Sequence, residues 1–261
     1  MILDTNLIRA GFAVPTLPKT KRVVVCSRAL DKRGKTHWAI EKSPPPVAIV
    51  GLDTGTKEVA AKFLKSKELI CAYHKISGKL ASQADTIARA EQEWAAVKQS
   101  ILTATQHPRV RTLVVDTGTE VYELVRLAHF GRLESVKPHH YGPVNKEMRD
   151  LVKAAYERED LNVIWVHKMK KQYAQNKKGD DSWTGGYEMA GFSDMPFLVD
   201  VTIENYWVNP TEDAPGRFGF RVTGVGRQTP DVCGLELEGA DCNFQMLAML
   251  LYPEVDPAWW A

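Results

Sequence analysis

Short apolar runs alternate with amphipathic stretches along most of the chain, and this alternation predicts an α/β fold. Residues 23–26, Val-Val-Val-Cys, form a β-branched run that ends in a polar, glycine-containing loop and reads as a buried strand. A second run at 47–52 follows three prolines and stops at Asp53. Between Ala84 and Thr105, the residues Ile87, Trp94, Val97 and Ile101 fall near one helical face, and Pro108 ends the pattern. A third run at 112–116 ends in Asp116. Val121, Leu124, Val125 and Ala128 then share a helical face, with Gly131 placed as its C-terminal stop. Residues 143 to about 158 predict a further helix, and 161–166 a fourth strand. The segments 197–207 and 217–225 predict late antiparallel strands, and a short helix at 243–251 closes the pattern. Such an order predicts a mostly parallel sheet covered on both faces. Ligands of these sheets sit at the carboxyl ends of the strands. Residues 1–20, with Pro15 and Pro18, are irregular and read as an arm ahead of one domain at 21–261.

The bulk numbers narrow the class without naming a function. Hydrophobic residues make up 44% and charged residues 25%, as in ordinary globular chains. No apolar run approaches the roughly 20 residues that span a bilayer, which predicts no membrane span. The start, MILDTNLIRAGF, lacks the basic and apolar blocks of a signal peptide. Cys26, Cys71, Cys233 and Cys242 make no Cys-x-x-Cys pair, so they read as reduced thiols and the expected location is cytoplasmic. The net charge of +2 is too small to identify a partner, and any nucleic-acid argument rests on local clustering.

Local chemistry is concentrated after the first strand. The segment Ala29-Leu30-Asp31-Lys32-Arg33-Gly34-Lys35-Thr36 has the spacing of a phosphate-binding P-loop, except that Ala29 stands where glycine is usual. In such a loop the backbone N–H groups cradle phosphate oxygens, and the following helix offers its positive end. Lys35 is then placed to neutralise the β- and γ-phosphates of ATP, and the Thr36 hydroxyl to coordinate Mg²⁺. Ala29 is a defect if that position needs a glycine-only conformation. A basic surface loop that happens to spell Gly-Lys-Thr is the competing reading. Asp116, at the end of its strand, supplies a carboxylate that holds Mg²⁺ through its water shell.

These residues resemble a known family, the phage RecA-like P-loop ATPases grouped as phage nucleotide-binding or single-strand-annealing ATPases. The resemblance covers roughly residues 22–260 and is most specific over 114–173, from VVDTGTEVYEL to KMKKQY, with the tail 244–253 adding to it. It implies a RecA-like core, with Mg²⁺ and ATP as cofactors. It also implies single-stranded DNA as partner in recombination or annealing, assembly into an oligomer or filament, and a single-strand DNA-binding protein as a further partner. For a phage protein, the expected location is the host cytoplasm. Lys35, Thr36 and Asp116 match the family's phosphate and magnesium positions. RecA-like enzymes carry a water-activating glutamate two residues after the second strand's aspartate. Here that aspartate is Asp53 and the matching position is Gly55, which leaves Asp53 or Glu58 as substitutes and implies slow hydrolysis. His167 and Lys168 occupy the place of a γ-phosphate-sensing pair, and Lys168 is the stronger candidate.

The polar segment 168–192, KMKKQYAQNKKGDDSWTGGYEMAGF, reads as a loop that binds single-stranded DNA. Lys170, Lys171, Lys177 and Lys178 would track phosphates, and Tyr173, Trp183 and Tyr187 would stack on unpaired bases. A solvated basic loop whose aromatics tuck onto the core is the alternative, and Asp180 and Asp181 favour it by diluting the charge. Arg217, Arg221 and Arg227 read either as cations reaching a neighbouring subunit's nucleotide or as solvated strand-face charges. Lys137 to Tyr141 reads as a surface loop packing Tyr141. Two further functions stay open beside the ATPase: a non-catalytic P-loop module that binds DNA or a partner, and, more weakly, a small-molecule kinase.

Overall fold

The computed structural model describes residues 21–77, 82–131, 137–175, 181–212, 214–226 and 230–261. The arm at 1–20 and the candidates Lys177, Lys178 and Arg227 lie outside them. Among the described residues the nine strands are β1 Val24–Ala29, β2 Val47–Gly51, β3 Leu69–Tyr73, β4 Thr112–Asp116, β5 Asn162–Gln175, β6 Asp181–Met189, β7 Val201–Val208, β8 Arg217–Val225 and β9 Glu236–Glu238. The seven α-helices among the described residues are α1 Lys35–Glu41, α2 Thr56–Ala61, α3 Gln83–Gln106, α4 Gly118–Phe130, α5 Tyr141–Ala154, α6 Met195–Leu198 and α7 Phe244–Leu251.

The sheet runs β3-β2-β4-β5-β1-β7-β8-β9, with β6 paired to the outer half of β5. The pairs from β3 to β7 are parallel, and β7-β8 and β8-β9 are antiparallel. The expected architecture, a mostly parallel sheet between helices with late antiparallel strands, is therefore the one observed. Strand residues alternate between two cores. Val24, Val50, Leu113, Val163 and Trp165 pack with α3, α4 and α5 on one face. Val25, Ile49, Val114, Ile164 and Val166 pack with α1, α2 and α7 on the other. Burial on both faces is why these strands read as unbroken apolar runs.

Helix boundaries follow capping chemistry. The Ser82, Thr117 and Asn243 side chains accept hydrogen bonds from the N–H groups of Asp85, Glu120 and Met246, starting α3, α4 and α7. Several expectations need correction. The first strand extends to Ala29, because the parallel register with β5 continues to Lys168. Phe197 lies in the short helix α6 with 87% of its surface exposed, and the strand after it begins at Val201. The helix expected at 143–158 begins at Tyr141, whose ring meets Phe130 edge-on at 5.7 Å, and gives way to a 3₁₀ turn at Ala155–Glu157. The segment expected as a loop after Lys168 is instead a two-stranded ribbon of β5 and β6. Among the described residues no helix is long and apolar enough to cross a membrane.

Leu124 is fully buried between α4 and its neighbours. Leu124→Ala is expected to lower stability by about 2–5 kcal/mol, the usual range for such a cavity, as read by urea denaturation.

Candidate functional site

The parallel register sets the ends of four strands side by side. Gly51 pairs with Asp116, Asp116 with Val166, and Ala29 with Lys168. The backbone carbonyl of Asp116 also accepts from the N–H of Leu52 at 2.6 Å and of Asp53 at 3.2 Å, fixing the turn that leaves β2.

The loop after β1 has the geometry of a strand-to-helix turn. Gly34 takes a left-handed conformation (φ 80°) immediately before α1. A Cβ there would also stand 2.6 Å from Phe218 Cδ1, so glycine is required twice over. Ala29 is different. It is the last, buried residue of β1 and its φ is not positive, so the missing glycine carries no backbone strain. The left-handed position is taken by Lys32 (φ 57°), the one non-glycine residue with positive φ among those described. Arg33 is half-buried, and Lys32 is exposed.

Thr36 and Asp116 meet directly. The Thr36 hydroxyl donates to Asp116 Oδ2 at 3.0 Å, and the Thr56 hydroxyl donates to the same oxygen at 2.6 Å. Asp116 Oδ1 is buried and has no hydrogen-bond partner among the described residues. Burial pushes the Asp116 carboxyl up, the two threonine hydroxyls oppose this, and the charge of Asp53 adds to it. A hydroxyl and a carboxylate in contact, with one carboxylate oxygen unsatisfied, suit a hard cation that takes oxygen ligands and keeps part of its water shell. The residues thus fit Mg²⁺. The Lys35 ammonium reaches back to the Leu30 carbonyl at 3.4 Å. Burial lowers its pKa despite the nearby carboxylates of Asp116, Asp31 and Asp53.

A cleft of about 740 Å³ adjoins this grip, lined among others by Asp53, Thr54, Lys57, Tyr73, Glu120 and Lys168. Lys168 Nζ lies 2.6 Å from Glu120 Oε1 and 3.5 Å from Asp53 Oδ2. Burial alone would lower the Lys168 ammonium, but Glu120 and then Asp53 hold its pKa above the ordinary value. The Gly55 N–H donates to Asp53 Oδ1 at 3.0 Å and orients that carboxylate. Glu120 was not singled out from the sequence. Its spacing, four residues after the strand-end Asp116 and in the first turn of α4, was the available signal. Thr56, one residue past Gly55, was missed as well. Glu58 lies exposed on α2 and is not among the residues lining the cleft.

His167 does not join Lys168. It is fully buried on the α4 side, where a Cβ on Gly118 would stand 2.7 Å from its ring. Burial drives its pKa down to about 4, against a weaker opposing hydrogen bond to the Ala190 carbonyl. Arg217 and Arg221 pair with Glu238 and Glu236 across β8 and β9, which favours the strand-face reading.

The ribbon carries the remaining candidates. Tyr173 pairs with Trp183 and Lys171 with Tyr187, around a bulge that holds Gly185 (φ 86°) and Gly186. Tyr173, Trp183 and Tyr187 are 56%, 49% and 41% exposed, so these aromatics stand clear of the core. Lys171 Nζ lies 5.2 Å from the centre of the Trp183 ring, and the Trp183 indole N–H donates to the Gly186 carbonyl at 3.0 Å. Lys170 is paired with Glu188 at 3.2 Å.

An α/β core with this loop after its first strand and a carboxylate at the end of β4, one strand removed from it, defines a P-loop nucleotide-binding class. The AAA domain family matches residues 22–211, and the chain belongs to that family. Among solved structures, the chain is similar to a KaiC-like protein from the hyperthermophilic archaeon Pyrococcus horikoshii OT3, at 10% identity and a TM-score of 0.42, over 83% of this chain and 84% of that one. It is also similar to the RadB recombinase, at 9% identity and a TM-score of 0.46, over 84% and 87% of the two chains. No curated protein matches the sequence.

The buried histidine sets a pH dependence. Below about pH 6.5 the unfolded chain takes up a proton at His167 that the folded protein refuses until about pH 4. Its contribution to stability is therefore whole above that window and falls with pH through it, at up to about 1.4 kcal/mol per pH unit. Between about pH 7 and about pH 5 the parent protein is expected to lose about 2 kcal/mol more than His167→Asn, as read by denaturant titration at both pH values.

Proposed function

We propose that this protein binds ATP at the loop Ala29–Thr36, hydrolyses it slowly, and acts on single-stranded DNA in recombination or strand annealing. The observation that carries the nucleotide reading is the contact of Thr36 with the buried Asp116 beside Lys35. Backbone N–H groups of residues 30–36 bind the phosphates, and Lys35 swings from the Leu30 carbonyl to the β- and γ-phosphates. Thr36 and Asp116 would hold magnesium, which would neutralise charge on the same phosphates. Asp53 and Glu120 are the cleft carboxylates available to take a proton from the attacking water. That water oxygen bonds to the γ-phosphorus as the bond to the β-γ bridging oxygen breaks, leaving ADP and phosphate. Both carboxylates are engaged by Lys168, and Gly55 offers no third, which supports slow turnover. Lys168 is the γ-phosphate-sensing cation, since a bound triphosphate competes with Glu120 and Asp53 for it.

The DNA reading rests on the exposed aromatics of the ribbon interleaved with lysines. Lys170, Lys171, Lys177 and Lys178 follow the strand, while Tyr173, Trp183 and Tyr187 stack on bases. Assembly into an oligomer or filament, a phage origin and action in the host cytoplasm belong to the same reading, from the family resemblance. A second reading, a P-loop module without turnover, is favoured by the hydrogen bond that spends Asp53 on the Gly55 backbone.

Turnover of ATP with magnesium, measured with and without single-stranded DNA, separates the two. DNA-stimulated hydrolysis that Lys35→Ala abolishes is expected, and nucleotide affinity unchanged by Lys35→Ala would refute the site assignment. For the ribbon, Trp183→Ala is expected to weaken binding of a labelled single strand about tenfold, within the range of roughly 1–3 kcal/mol for one base stack. An anisotropy titration that shows no change would remove Trp183 from the interface.

A further inference from the structure

The phosphate loop is flanked on both sides, because β1 lies between β5 and β7 in the sheet. The Asp53–Lys168 cleft occupies the β5 side. On the β7 side lies a smaller cavity of about 420 Å³, lined by Asp31, Lys32, Arg33, Trp207 and Phe218. The two cavities share no lining residue. This second volume falls within the roughly 300–1,000 Å³ of small-molecule sites.

Its wall is built from an aromatic pair. Trp207 of β7 and Phe218 of β8 are direct partners in the antiparallel register, with ring centres 4.8 Å apart and planes at 66°. Phe218 lies against Gly34, as the 2.6 Å approach of an added Cβ shows. It also lies 6.1 Å from the His37 ring, at 28° between planes. Both rings are half-buried. Trp207 lies outside both hydrophobic cores, resting on Phe218 and over Gly216, where an added Cβ would stand 2.3 Å from the indole.

We propose that Trp207 and Phe218 form the platform for the base of the bound nucleotide, a purine, and this rests on the phosphate-site reading above. A nucleoside triphosphate has two ends. Its γ-phosphate belongs with Lys168 in the cleft on the β5 side, so its base leaves the loop toward β7. There an indole and a phenyl ring offer π-faces for stacking, which is sequence-tolerant and strong for large bases. Asp31, on the same wall, supplies a carboxylate able to accept a hydrogen bond from a ring N–H or an exocyclic amino group. Lys32 and Arg33 supply cations over which the electron-rich ring or the first phosphate can lie.

The test compares two ligands that share a triphosphate but differ in having a base: ATP and inorganic tripolyphosphate, each with magnesium. Calorimetry on the full chain is expected to show that Trp207→Ala lowers ATP affinity about tenfold and leaves tripolyphosphate affinity unchanged. Trp207→Phe, which keeps a ring, is expected to restore most of the loss. ATP affinity that resists both Trp207→Ala and Phe218→Ala, while Lys35→Ala abolishes it, would place the base elsewhere and overturn this inference alone. Parallel loss of both ligands in Trp207→Ala would also overturn it, by showing that Trp207 merely supports the loop. If the parent protein bound neither ligand, the phosphate reading would fall and this inference with it.

Discussion

One carboxylate oxygen, Asp116 Oδ2, accepts hydroxyl protons from Thr36 and from Thr56, and through it the ends of β1, β2 and β4 are held as one unit. Thr36 is the second residue of the helix after β1, and Thr56 opens the helix after β2. The contact therefore ties the loop after β1 to the loop after β2, which lines the cleft. A buried carboxylate with one oxygen unpaired is unfavourable in water-free surroundings. The unfavourable burial, visible in the raised pKa of Asp116, makes sense if a cation relieves it.

The strands buried on both faces were legible because apolar runs such as 113–115 and 163–166 are unbroken by polar residues. Thr36 and Asp116 were legible because loop chemistry and strand ends leave local marks. What escaped depends on distance in the chain. Glu120 acquires meaning only from Lys168, 48 residues later. The strand Leu69–Tyr73 is a five-residue apolar run, LICAY, but it lies at the sheet edge, only partly buried, directly after the charged stretch Lys65–Glu68, and it was passed over. The ribbon escaped for another reason. Its residues meet solvent, so their pattern reports charge and not strand period, and pairing of β5 with β6 organises them. The substitution at Ala29 looked like a defect because motif spacing says nothing of φ. The structure moves the left-handed turn to Lys32 and Gly34.

Polar residues at the strand ends divide by the face they serve. His167, neutral and buried, fills space between β5 and α4, whereas its neighbour Lys168 stands in the cleft held by two carboxylates. Adjacent residues on a strand point to opposite faces. That alternation assigns packing to the histidine and charge to the lysine, although the sequence presents them as a pair.

β5 is continuous from the buried sheet into the exposed ribbon, and Lys168 lies where one becomes the other. From Lys168 to Gln175 the strand extends about 23 Å at the usual ~3.3 Å per residue. The lysine that meets Asp53 and Glu120 in the cleft and Tyr173 of the ribbon therefore stand on one strand, five residues apart.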